Sequence, residues 1–182
     1  MPDEFSPSGL RRIRRLAFWV RLMCVVGALA VVFLPFVFWA QADWVAQVLR
    51  DEWRLPLVQL DTASRLGGLA ASLIPAGLLV YVCWHMWALF GCFADGELLA
   101  RTPAEHLRRL GLGLTVLAAV QPVSQTLVVL AVTLGNPPGE RRLWFGLSSQ
   151  HYLVLLFGLL LLALAQVLLE GSRVAEENRE FI

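Results

Sequence analysis

The sequence contains no lysine; its fifteen basic residues are all arginine, a bias that we read as codon usage rather than function. Charge of either sign is scarce. Only 16% of the 182 residues are charged, against about 25% in ordinary soluble domains. Residues 22–41, 66–94, 110–139 and 143–169 carry no charge at all. Cysteine is almost as sparse. Cys24, Cys83 and Cys92 sit singly in apolar segments without paired spacing, which argues against a disulfide framework or a zinc site. They read as small core residues. The histidines His85, His106 and His151 are scattered, with no carboxylate inside the apolar stretches to orient them. Catalysis requires a nucleophile, base or metal held by partners. The sequence therefore points away from an enzyme, and no cofactor or metal is expected.

What the sequence does have is hydrophobic length. It is 58% hydrophobic, with mean hydropathy +0.65, where soluble chains are about 45–50% apolar. Each uncharged stretch reaches the roughly 20 residues that a 30 Å hydrocarbon core requires. Within the last, thirteen of the seventeen residues 153–169 are Leu, Val or Phe. At about −0.3 to −0.6 kcal/mol each, that run favours insertion by about 4 to 8 kcal/mol. The expected fold class is an all-α integral membrane protein, a four-transmembrane-helix bundle with both termini cytoplasmic. A single membrane domain would cover residues 1–182, with spans near 16–40, 66–94, 105–134 and 143–169 and a tail at 170–182. A cleaved signal peptide is the rival for the first span, because Ala40-Gln41-Ala42 has a small-x-small pattern. The run before it has nineteen residues, longer than a signal h-region of roughly 7–15. It reads as an uncleaved span, with Trp19 and Trp39 at the two interfaces.

Arginine placement gives the expected orientation. Ten arginines fall on the side that would hold both termini and the middle loop, and five on the other, which places the first side in the cytoplasm and the protein in a bacterial inner membrane. The cluster Arg11, Arg12, Arg14, Arg15 and Arg21 reads as this topology signal, touching anionic lipid, rather than as a nucleic-acid patch. The lipid bilayer is thus an expected partner, and no direct nucleic-acid binding is expected. After the first span, Asp43 is expected to cap a short helix with Trp44, Val45, Val48 and Leu49 on one side, lying on the membrane surface. A lid over the mouth of the bundle is the alternative.

Inside the second span, Gly68, Ser72 and Ala76 repeat every four residues, a small-residue face suited to close approach of another helix. Pro75 beside them can kink it. In the third span, Gln121, Ser124 and Gln125 share a face by their i, i+3, i+4 spacing, next to Pro122. Two readings stand. These side chains either hold helices together or line a pocket in the outer half with Pro35, Pro75 and residues 148–151, capped by the Trp44 helix. The candidate pocket residues are His85, Gln121, Ser124, Gln125 and His151.

Two further stretches carry a resemblance. Leu89, Phe90, Phe93, Gly96, Glu97 and Leu99, with Leu107-Arg108-Arg109-Leu110-Gly111 after them, resemble the inner-loop signature of a bacterial membrane-protein family, domain-of-unknown-function family 2975. The ending Glu170-Gly171, Glu176-Glu177-Asn178 and Phe181-Ile182 is similar to that family's ending. The chain departs from the pattern at Leu99, where members carry an aromatic, and at Arg101-Thr102-Pro103, where they carry an acidic-Asn pair. Locally, Gly96 suits a helix C-cap or turn, and Thr102, Pro103 and Glu105 suit an N-cap, first and third helical position. The resemblance implies a small four-span protein often encoded beside a small helix-turn-helix regulator. It leads us to expect a non-enzymatic regulatory or sensory protein that sequesters such a regulator on Arg101, Arg108, Arg109, Glu170, Glu176, Glu177 and Asn178. The alternative is a transporter subunit, or a bundle that binds a small molecule or lipid through the pocket residues. A plainer role for Glu176 and Glu177 is pairing with the arginines at 11–15.

Overall fold

The computed structural model describes residues 7–51, 60–96, 100–137, 141 and 143–180, excepting the side chains of residues 7–10 and 174–180. They form five helices: α1 (Pro7–Ala40), α2 (Ala42–Asp51), α3 (Thr62–Ala94), α4 (Arg101–Thr133) and α5 (Ser149–Glu180). There is no strand among the described residues. The four helices other than α2 are long and apolar enough to cross a membrane.

The long helices pack as an open row, with α1 on α3, α3 on α4 and α4 on α5, and among the described residues α1 and α5 do not meet. Burial matches this order. Of the most apolar window of each helix, 39% is buried in α4 and 22% in α3, but only 11% in α1 and in α5. Two arginine clasps fix α1 and α3 antiparallel. The last carbonyls of a helix have no intrahelical donor. Arg65, in the first turn of α3, supplies one from Nε to Trp39 O at 2.8 Å and from Nη2 to Ala40 O at 2.6 Å. At the other end, Arg14 Nε donates to Ala94 O at 3.2 Å.

The centre of the row depends on small residues in α4. A Cβ added to Gly111 would lie 2.9 Å from Leu162 N and 3.0 Å from Gly158 O of α5, and one added to Gly113 would lie 2.9 Å from Val82 Cγ2 of α3. From the other side, a Cβ on Gly158 would lie 2.6 Å from Thr115 Oγ1 and 2.8 Å from Thr115 N. At Gly111 and Gly158 the obstacles include backbone atoms, so no rotamer change relieves them.

Several local expectations are corrected. The short helix begins at Ala42, after a break at Gln41 whose carbonyl accepts from Val45 N at 3.0 Å. Asp43 thus lies inside the first turn, where its charge matches the helix dipole. Nor does α2 rest on its apolar side at a surface. Val45 and Leu49 are buried in one cluster with Trp39, Ala71, Val128, Val129 and Val132, drawn from α1, α3 and α4. Trp39 is 4% exposed within the bundle, whereas Trp19 is 58% exposed. The α4 helix starts at Arg101, with Ala100 as its N-cap, and Glu105 pairs with Arg101 instead of closing a capping box. Residues 143–148 are not helical; α5 starts at Ser149.

Helix α3 is capped as polar chemistry favours. Asp61 accepts from Ser64 N at 2.9 Å, and hydrogen bonds from Ser64, side chain first and backbone second, hold its carboxyl below the ordinary aspartate range. At the other end Gly96, with φ of +88°, takes the left-handed turn just past the helix.

The α4–α5 contact gives a direct test. Gly158→Val is expected to wedge α5 from α4 and to lower stability by about 1–3 kcal/mol. Gly77→Ala, whose Cβ meets nothing within 4 Å, should leave stability unchanged or slightly raised. Unfolding in mild detergent compares the two.

A cavity between α1, α3 and α4

Each of three long helices carries an interior proline: Pro35 in α1, Pro75 in α3 and Pro122 in α4. Proline has no N–H, so the carbonyl four residues earlier loses its helical donor. Those carbonyls belong to Val31, Ala71 and Ala118. The interruptions meet at one level. Pro35, Pro75 and Gln121, the neighbour of Pro122, line the same cavity of about 510 Å³.

The Ala71 carbonyl is satisfied across the helix interface. Ser124 Oγ donates to it at 2.7 Å, so the hydroxyl of α4 replaces the bond that Pro75 removes from α3. Ser72 Oγ accepts from Trp39 Nε1 at 3.2 Å and donates to Gly68 O at 2.8 Å. Both serine protons are therefore committed, and what these hydroxyls offer the cavity is lone pairs. Gln121 Oε1 is buried with no hydrogen-bond partner among the described residues. Apolar walls come from Leu34 and Phe38 of α1, Trp44 of α2, and Ala76 and Leu79 of α3; no charged side chain lines the space among the described residues. The chemistry is thus an apolar cavity with two side-chain amides and serine lone pairs on its wall. It suits a neutral ligand with an apolar body and a donor at one end, since an unmade bond in such surroundings costs about 1–3 kcal/mol.

Three of the candidate pocket residues, Gln121, Ser124 and Gln125, come together here. His85 and His151 do not, and each has a local reason. His85, 4% exposed, faces His106 across the α3–α4 contact with Nδ1 atoms 3.0 Å apart, and the edge of Tyr81 packs on it with ring centroids 4.4 Å apart. His151 lies three residues into the start of α5, where its Nδ1 accepts from Ser148 N at 3.0 Å. It performs the backward half of a capping box, a task usually given to Glu or Gln. The sequence reading missed Ser72 and Trp39 as parts of this wall. In the stripe of Gly68, Ser72 and Ala76, the first two receive an indole ring: a Cβ on Gly68 would collide with the Trp39 ring, and Ser72 accepts its N–H.

The candidate partner-binding residues are more dispersed. Arg101 pairs with Glu105 at 3.2 Å, Glu170 pairs with Arg173, and Arg108 and Arg109 are exposed. The side chains of Glu176, Glu177 and Asn178 lie outside the described ones, as do Glu97, Leu99, Phe181 and Ile182. Among the described residues no group of three or more His, Cys, Asp or Glu could hold a metal ion. No protein-family model, no curated protein and no solved structure matches the chain. The likeness to family 2975 rests on its short motifs alone.

Opposite effects are expected from two neighbouring substitutions. Gln121→Leu removes an unpaired buried oxygen and should raise the stability of the ligand-free protein by about 1–3 kcal/mol, whereas Ser124→Ala strands the Ala71 carbonyl and should lower it by about as much. Thermal unfolding of both variants in detergent measures the difference.

Proposed function

We propose that this chain is a multi-pass protein of the bacterial inner membrane, with both termini cytoplasmic, that binds a neutral amphiphile in the cavity between α1, α3 and α4 without chemically altering it. The observation that carries the reading is a cavity of about 510 Å³ with apolar walls, lined in part by Gln121, whose buried Oε1 has no hydrogen-bond partner among the described residues. Four helices of spanning length, and the ten-to-five division of arginines, support the location. In that orientation the cavity lies in the half of the membrane remote from the cytoplasm.

The probe pair hexadecanol and its methyl ether tests this. The two share an apolar chain, but only the alcohol can donate to Gln121. The alcohol should bind about fivefold more tightly, the worth of one hydrogen bond, and Gln121→Leu should erase the difference. Equal affinities in the wild type, or no binding of either, would overturn the proposal.

A second reading draws on α5. That helix continues to Glu180, and residues 170–180 extend it by about 16 Å past the apolar run. Those turns carry Glu170, Glu176, Glu177 and Glu180 against Arg173 and Arg179. An acidic helix of this kind attracts a basic surface, such as that of a small helix-turn-helix regulator held at the membrane until the cavity fills. Removing residues 174–182 should release a co-purifying regulator while the protein stays in the membrane fraction. Unchanged co-purification, or no regulator with the full chain, would sink it.

A further inference from the structure

Away from that cavity, the α1–α3 contact is hollow a second time. Residues Arg14, Phe18, Arg21, Val25 and Ala28 have alternating spacings of four and three, which sets them on one face of α1. Between this face and α3 lie two adjoining spaces. One, of about 410 Å³, is lined by Arg14, Phe18 and Arg21; the other, of about 270 Å³, is lined by Cys24, Ala28, Val80, Cys83 and Trp84. Val25 and Trp87 belong to both. They are two halves of one groove, the first cationic and the second wholly apolar. Neither half shares a lining residue with the cavity between α1, α3 and α4.

Among the described residues the two arginines are held in place without a counter-charge. Arg21 Cζ lies 3.9 Å from the centre of the Trp87 ring, so an aromatic face, not a carboxylate, positions it. Arg14 uses Nε on the Ala94 carbonyl, which leaves the remaining N–H groups of its fork to serve another acceptor. Asp95 stands at the end of α3, but it forms no ion pair with Arg14 or Arg21 among the described residues. Two guanidiniums brought onto one groove, one of them half-buried, repel each other and lose hydration. An anion that accepts from both relieves that cost, and phosphate oxygens match the guanidinium fork. The apolar half adjoins directly, so the anion that fits best is attached to a hydrocarbon chain.

We propose that the α1–α3 groove is a binding site for an anionic, phosphate-bearing lipid, with the phosphate on Arg14 and Arg21 and an acyl chain against Val25, Ala28 and Trp84. This goes beyond the general attraction of a basic cluster for an anionic surface. That attraction would weigh Arg12 and Arg15 equally, whereas the groove singles out Arg14 and Arg21. It is also independent of the neutral amphiphile assigned to the other cavity.

Native mass spectrometry of the full chain in mild detergent, titrated with phosphatidylglycerol or phosphatidylcholine, provides the test. The wild type should retain phosphatidylglycerol preferentially. Each of Arg14→Gln and Arg21→Gln should weaken that retention about fivefold. The pair Arg12→Gln and Arg15→Gln, on exposed positions outside the groove, should change it by less than about twofold. Ala28→Phe should reduce retention by filling the apolar half while leaving both arginines in place. Should the glutamine variants fail to fold, Arg14→Lys with Arg21→Lys keeps the charge but not the fork, and intermediate retention is expected. Inorganic phosphate alone should leave the melting temperature unchanged. Equal losses from both arginine pairs would reduce the site to diffuse surface charge. Equal retention of the two lipids, or full stabilisation by inorganic phosphate, would likewise overturn the proposal.

Discussion

The narrowness of α4 is the constraint on which this architecture rests. A helix in the middle of a row must be slim on two opposite sides, and α4 achieves this with Gly111 toward α5 and Gly113 toward α3. With no Cβ at those points, backbone meets backbone or a valine methyl at contact distance, and dispersion forces act over the closest possible approach. The outer helices have no such requirement. Both α1 and α5 keep most of their bulky side chains outward, an arrangement that water would penalise and lipid would not.

Proline and serine then divide the work along the α3–α4 seam. Pro75 costs α3 one internal hydrogen bond, and Ser124 restores it from outside. Such a bond is more than adhesive, because it fixes the axial register of α4 against α3 at the level where the cavity opens. Pro35 and Pro122 interrupt their helices nearby, and Val31, whose carbonyl Pro35 releases, lines the same cavity as Gln121 and Gln125. Irregular helical backbone inside a membrane is tolerated where protein or a cavity surrounds it. The coincidence of three prolines at one depth is therefore what creates both the space and its polarity.

Much of this was legible in one dimension, and the rest was not, for identifiable reasons. Helical spacing alone set Gln121, Ser124 and Gln125 on one face, and counting residues from the ends of the apolar runs put Pro35 and Pro75 near the same depth. Hydropathy alone also marked the four long helices. It could not tell which of them are neighbours, because a leucine facing lipid and a leucine facing another helix look alike in composition; the open row thus had no signature. His151 was misjudged because its role depends on where α5 begins. Residues 143–148 are as apolar as the first turns of α5, so hydropathy did not mark the helix start, and Ser148 was the one cap signal there. The burial of Trp39 against α3 was not foreseen, because the interface rule addresses depth in the membrane and not packing. The small stripe of α3 opposite it, with Gly68 open to a ring and Ser72 ready to accept its N–H, carried the better signal.

The reciprocal clasps at the two ends of α1 have a mechanical consequence. Arg65 holds the last carbonyls of α1, and Arg14 holds one of the last carbonyls of α3. If α1 slid along α3 in either direction, it would strip a carbonyl at one end or the other, so piston motion is braked both ways. Rotation about its own axis is opposed by the Trp39 indole wedged over Gly68. What remains is a bowstring mode, in which α1 stays pinned at its ends while its middle moves toward or away from α3. Between the pins lie both hollow regions, each bordered in part by α1. Filling one would tension the helix that borders the other.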